Sequence, residues 1–278
     1  MTDNYSFQLS FAEFYWLTRA FRLNSLPLLE NTQHISHPIS SAALSEAQSS
    51  LQARGFIQKN DIASWQIDRL PAAIIRWLGE TEWILSVQHC THDDSQRRAT
   101  FFIKEETGLA MIGEINGYCF TVYPDRAALI ENLIDWLAIP FPEKLHTLST
   151  YSMPQPEEVI SIAWKDSVRA TKAFRIAPIT PRQLKSTLAW IEALQWFASI
   201  THIQLSNQIT HSTNSGAMNQ VENISKPGTF SLRKTTQVIV CGDKKNIWGA
   251  SGTANSAEVF SLSSVDRKAL SIQIQNLL

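Results

Sequence analysis

One unit is written twice in this chain, and that constrains its fold more than any other feature. Residues 83–137 and 229–278 each read as three or four short strands followed by one amphipathic helix. In the first copy, Gly108-Leu109-Ala110-Met111-Ile112-Gly113 leads to Tyr118-Cys119-Phe120-Thr121-Val122 and then to Asp125-Arg126-Ala127-Ala128-Leu129. In the second, Asn246-Ile247-Trp248-Gly249 leads to Val259-Phe260-Ser261-Leu262 and then to Asp266-Arg267-Lys268-Ala269-Leu270. The string Asp-Arg-x-Ala-Leu opens a helix in both, 141 residues apart (266 minus 125). Short strands expose edges that invite aggregation, and joining two copies protects one edge of each. The expected fold is therefore α+β, with a pseudo-twofold duplicated antiparallel sheet. The helices over 125–138 and 264–278 should lie on one face of it.

The rest of the chain divides around this repeat. Residues 9–23 carry Phe11, Phe14, Tyr15, Leu17 and Phe21 at helical spacing, with Ser10 and Glu13 at the spacing of a capping box. Leu26-Pro27-Leu28-Leu29 ends that helix, and 30–40 reads as a loop. A second helix runs from Ser41 to Arg54, closed by Gly55, and a third over 69–79. Between them, Phe56-Ile57-Gln58 and Trp65-Gln66-Ile67 read as two short strands. Strands are expected over 83–89, 99–104, 109–114 and 118–123, joined by hairpins.

Pro140, Pro142, Pro154 and Pro156 mark 139–156 as a connection between an N-terminal half, 1–138, and a C-terminal half, 157–278, in one body. In the second half a strand is expected near 158–164 and a helix over 181–200. Residues 204–228 are rich in Asn, Gln, Ser and Thr and read as a long polar loop with little to bury.

Composition narrows the function. With 44% apolar and 18% charged residues the chain can fill a core, and its net charge of −1 gives no electrostatic case for nucleic acid or an anionic membrane. Only 10 Gly are present, and neither a GxGxxG nor a GxxxxGK[ST] string occurs, which argues against a nucleotide. No apolar run approaches the roughly 20 residues of a membrane helix. Three Cys without a CxxC, and an N-terminus lacking a basic leader, point to the cytoplasm.

Candidate sites are few. His89, His92, Asp93 and Asp94, with Cys90 among them, could ligate a metal. Zinc needs about four converging ligands, usually from two separated pairs, and the second pair is missing. The plain reading is a strand running into a polar hairpin. His89 and Cys90 are neighbours on a strand, so they point to opposite faces and cannot act together. No GxSxG elbow exists. Trp16, Trp77, Trp136, Trp190 and Trp196 fall beside apolar stripes expected to be helical and read as core. The segment 41–67 resembles the helix and wing of a winged helix, but its basic residues are only Arg54 and Lys59. No catalytic, cofactor, metal or partner-binding residue can be named from sequence.

The order of elements carries a resemblance. A helix, Leu-Pro-Leu-Leu (26–29), a helix ending in Leu51-Gln52-Ala53-Arg54-Gly55, a further helix, and a sheet closed by an amphipathic helix resemble the EspG-type chaperones of type VII (ESX) secretion. Length, half-chain duplication and the Pro-rich midpoint are similar too. The resemblance implies a non-enzymatic α+β protein that binds a secretion substrate in the cytosol without a cofactor. The expected partner is a protein, or a second copy of the chain. The alternative is a DNA-associated regulator using 41–67.

Overall fold

The computed structural model describes residues 5–21, 39–59, 65–81, 83–93, 95–141, 150–166, 180–207, 230–253 and 259–278. Among them, ten strands form one antiparallel sheet in the order β1-β7-β6-β5-β4-β9-β10-β11-β12-β8. The first half supplies β1 (Tyr5–Ser10), β4 (Trp83–Thr91), β5 (Gln96–Lys104), β6 (Thr107–Glu114) and β7 (Gly117–Tyr123). The second supplies β8 (Tyr151–Pro154), β9 (Trp196–Asn207), β10 (Phe230–Gly242), β11 (Ile247–Thr253) and β12 (Val259–Ser264). The order is palindromic. Each half runs hairpin to hairpin from the centre outward, and its own first strand closes the edge.

The halves meet where β4 pairs antiparallel with β9, so the expected continuous sheet is present. Trp83 and His89 stand 113 positions before Trp196 and His202 (196 minus 83, 202 minus 89). Val87 and Ile200 share that spacing and pair directly, which puts the pseudo-twofold axis between them.

Helices cover both faces. On the front, α4 (Arg126–Leu137) and α7 (Arg267–Gln275) start the same way. Asp125 accepts from the Ala128 N–H at 2.7 Å, and Asp266 from the Ala269 N–H at 2.6 Å. An N-cap of this kind contributes about 1 kcal/mol. Leu129, Leu133 and Leu137 of α4 and Leu270 and Ile274 of α7 share one core with Leu85, Val87, Ala198 and Ile200 of the central strands.

The back face carries two separate clusters. Over the first half lie α1 (Phe11–Ala20), α2 (Ser41–Ala53) and α3 (Arg69–Glu80), with a small hairpin of β2 (Ile57–Lys59) and β3 (Trp65–Ile67). Phe14, Leu17, Leu51, Ile74 and Ile75 pack there on Phe102, Leu109 and Phe120. Over the second half lie α5 (Pro156–Lys165) and α6 (Pro181–Ala193), where Ile160, Trp190 and Ile191 pack on Phe197, Ile239 and Trp248.

Ser10 and Glu13 form the expected capping box, but Tyr5–Ser10 ahead of it is a strand. Gly55 ends α2 in the left-handed region at φ +74°, as its C′ position requires. Gly117 is needed for a different reason: an added Cβ would stand 2.0 Å from the Leu9 carbonyl oxygen of β1.

Several expectations need correction. The helix read over 181–200 stops at Ala193, and Trp196–Asn207 is strand β9, so Trp196 is a strand residue. Trp196, Phe197, Ala198 and Ile200 at the start of β9 continued the apolar stripe of the preceding helix. The strand expected near 158–164 is helix α5, which buries Val159, Ile160 and Ala163 along one side. Tyr151–Pro154, inside the segment read as a connection, is a strand of the sheet. Of the polar loop 204–228, residues up to 207 belong to β9, and the remainder lies outside the described residues, as does Leu26–Leu29. The second unit therefore begins well before residue 229.

Candidate functional site

Strand alternation fixes what the central strands show on each side. Leu85, Val87, Ala198 and Ile200 enter the front core, so Ser86, Gln88, Ser199 and Thr201 face the back. On that face Ile84 and Ile203 join the cluster of the first half, while Cys90, Phe197 and Ile239 join that of the second. Between the clusters lies a polar trough. Its rows follow the register: Ser86 pairs with Thr201 and Thr100, and Thr201 with Gln237.

The floor of the trough is tied together by hydrogen bonds. The Gln237 amide donates to Ser199 Oγ at 2.9 Å and to Glu157 Oε2 at 2.7 Å, which brings the first turn of α5 onto the sheet. Buried polar groups of this kind are kept by their partners, since an unpaired one costs roughly 1–3 kcal/mol. Ser86, Gln88, Thr100 and Thr201 are only half-buried. The trough is thus a polar strip of half-exposed hydroxyls and amides. Among the described residues it brings together no paired carboxylates and no nucleophile beside a base.

The sequence candidates do not converge. His89 faces the front, its ring stacked on Trp196 with centroids 5.8 Å apart. Burial, then the charge of Arg97, hold its imidazole below the usual histidine range. Cys90 packs against the second-half cluster on the opposite face. His92 lies in the turn after β4, its ring 5.2 Å from Trp164. Asp93 accepts from the Thr91 hydroxyl and from the Ser95 N–H, and these bonds hold its carboxyl below the usual range. Asp94 lies outside the described residues. Among the described residues no three His, Cys, Asp or Glu side chains come together to hold a metal ion.

The winged-helix-like segment is built into the protein. Leu51 of α2 and Ile57 of β2 enter the first-half core. Arg54 donates to both Glu13 carboxylate oxygens, at 3.0 and 3.1 Å, and to the Gln8 carbonyl at 2.6 Å. Its guanidinium also lies over the Phe56 ring, 4.5 Å from the centroid. The trough residues were missed because two of them, Ser199 and Thr201, sit on β9. The alternation Ser199, Thr201 against Ala198, Ile200 was the signal available.

The two cavities among the best formed are shallow and lie elsewhere. One, of about 350 Å³, is lined by Trp16, Arg19, Leu44 and Trp65. The other, of about 460 Å³, lies beside His92 and Glu192. Among the described residues no helix is long and apolar enough to cross a membrane.

A palindromic antiparallel sheet with helices on both faces, and a polar strip at its seam, defines this chain as an α+β protein with the fold of EspG-type secretion chaperones. The similarity is to EspG5, the type VII secretion system chaperone of Mycobacterium tuberculosis, solved in complex with a PE25–PPE41 dimer. The two superpose with a TM-score of 0.59 over 98% of this chain and 95% of that one, at 10% sequence identity. No protein-family model matches the chain, and no curated protein matches it.

Proposed function

We propose that this protein is a non-enzymatic, chaperone-like binding protein that holds a protein partner, such as a secretion substrate, in the cytosol. The observation that carries the reading is the fold, which follows along nearly its whole length that of a chaperone solved with a protein dimer bound. The repeat supports it: two similar units joined in one sheet suit a symmetric body better than a catalytic cleft. The two halves, with β8 belonging to the second, act as that single body.

The partner sits across the polar trough, where Ser86, Gln88, Thr100 and Thr201 supply hydrogen bonds without a large charge. Net charge of −1 leaves recognition to shape and hydrogen bonding more than to long-range attraction. The test is co-purification from native lysate, with mass spectrometry of what stays bound, repeated with Thr201→Arg. The expected result is a stoichiometric protein partner that the half-buried arginine displaces while the fold persists. Recovery of a bare monomer across salt conditions, or capture indifferent to Thr201→Arg, would overturn this assignment.

A further inference from the structure

Among the described residues the ten-stranded sheet ends on β1 at one side and on β8 at the other, and the two edges are finished differently. An open strand edge is a template for another chain, and proteins blunt it with short strands, Pro, charge or bulges. β8 is four residues long and ends on Pro154. β1 reads Tyr5-Ser6-Phe7-Gln8-Leu9-Ser10, without charge or Pro, and its register against β7 runs unbroken. The strand itself therefore carries none of those protections.

The direction of its backbone groups follows from Gly117. A Cβ there would stand 2.0 Å from the Leu9 carbonyl oxygen, so Leu9 turns its peptide groups toward β7. Antiparallel pairs alternate, so Ser6, Gln8 and Ser10 turn theirs outward. Two of those outward groups are occupied from the helices behind. Arg54 Nη2 donates to the Gln8 carbonyl at 2.6 Å, and the Ser10 N–H donates to Glu13 Oε2 at 2.7 Å. Arg54 Nη1 joins the two by donating to both Glu13 carboxylate oxygens. The guanidinium lies over the Phe56 ring, which meets Phe7 of β1 edge-on with centroids 6.0 Å apart. Arg54 is thus held against the middle of the strand by charge, by hydrogen bonds and by an aromatic face.

We infer that the Glu13–Arg54 pair guards the β1 edge, keeping a second copy of this chain from adding its own β1 there. An incoming strand would run about 4.8 Å from β1, in the space that the guanidinium fills. Two β1 strands are self-complementary when paired antiparallel about Gln8. That isologous register sets Gln8 against Gln8 and Ser6 against Ser10, and it needs the Gln8 carbonyl and the Ser10 N–H. Both are already taken by the pair. The net charge of −1 gives little repulsion between copies, so the protection has to be local.

The test is sedimentation equilibrium of the full chain. Arg54→Ala should tighten self-association at least about tenfold over the unaltered chain, as expected when backbone groups become free to bond a second strand. The double variant Arg54→Ala with Glu13→Gln removes the stranded carboxylate charge, which separates an open edge from a weakened fold, and it should associate as well. Adding Gln8→Pro to Arg54→Ala should reverse the gain, because proline lacks the outward N–H and that group makes no bond to β7. Leu270→Ala weakens the front core instead and should leave association at the level of the unaltered chain. Association unchanged in both arginine variants, undiminished by Gln8→Pro, or matched by Leu270→Ala would each overturn the inference.

Discussion

The two halves share one sheet plan but elaborate it at different places. The first inserts α2 and the β2–β3 hairpin between its first helix and its central strands, and these thicken the back face. Among the described residues, the second adds no element there. Its extra length falls between the two strands nearest the seam: 208–229 separate β9 from β10, against 92–95 between β4 and β5. Arginines at matching positions make different contacts as well. Arg267 crosses from α7 to α4, meeting Glu131 at 2.6 Å and Asp135 at 2.7 Å. Arg126 instead holds the β5–β6 turn through the Glu105 carbonyl at 2.7 Å. The position matching Glu131 on α7 is Ile272 (131 plus 141), so the reciprocal bridge cannot form. The comparison teaches that the sheet and its front helices are common to the two halves, while the polar side chains around them differ.

The harshest way to break the comparison is to remove one member of the front pair. Truncation from Ser264 onward deletes α7 and uncovers the front core beside α4. Soluble expression should be lost, and a stable, monomeric truncated protein would show that α7 is dispensable. A sharper probe compares equivalent leucines. Leu129 and Leu270 are both fully buried and 141 positions apart. Leu129→Ala and Leu270→Ala should each cost about 2–5 kcal/mol in urea unfolding. A severe loss in one with near neutrality in the other would mean that the halves do not share the core equally.

Next comes a contact that, among the described residues, only the first half possesses. Glu13 is buried, and burial alone would raise its pKa. The Ser10 N–H, the Ser50 hydroxyl and Arg54 outweigh that and hold it below 4.5. Arg54→Ala should cost about 1–3 kcal/mol, because it strands a buried carboxylate. The contribution of Glu13 is present above its ordinary value and disappears as pH falls through the lowered one. Glu13→Gln should therefore flatten the acid limb of a stability–pH profile, and an unchanged limb would sink the claim. The smallest effect is expected at Arg267, whose bridges are exposed. Arg267→Ala should cost less than about 1 kcal/mol and lose even that in high salt.

Much of the plan was readable where the physics is local. The β4–β7 hairpins, the cap at Asp125, the Ser10–Glu13 box and Gly55 all follow from alternation, turn residues and capping chemistry. Residues 156–165 and 196–207 were misread because burial on two faces or a short helix blurs the period. Once β9 was read as helix, the seam was lost, since its strand partners are 113 positions apart (200 minus 87). The trough disappeared with it. Ser86 and Thr201 are unremarkable alone and become a site only through that pairing.

The seam also shapes how the chain folds. Most pairings in each half join consecutive strands and close within a few residues, whereas Val87 must find Ile200 across more than a hundred intervening residues. Loop closure over such a distance is entropically demanding, and non-local strand pairing slows folding. The hairpin stacks should therefore assemble first as two half-sheets with unpaired inner edges, and β4 should meet β9 late. Until it does, each nascent half presents a long apolar strand edge. The window of risk for aggregation during synthesis lies after β4–β7 have emerged and before β9 arrives to cap them.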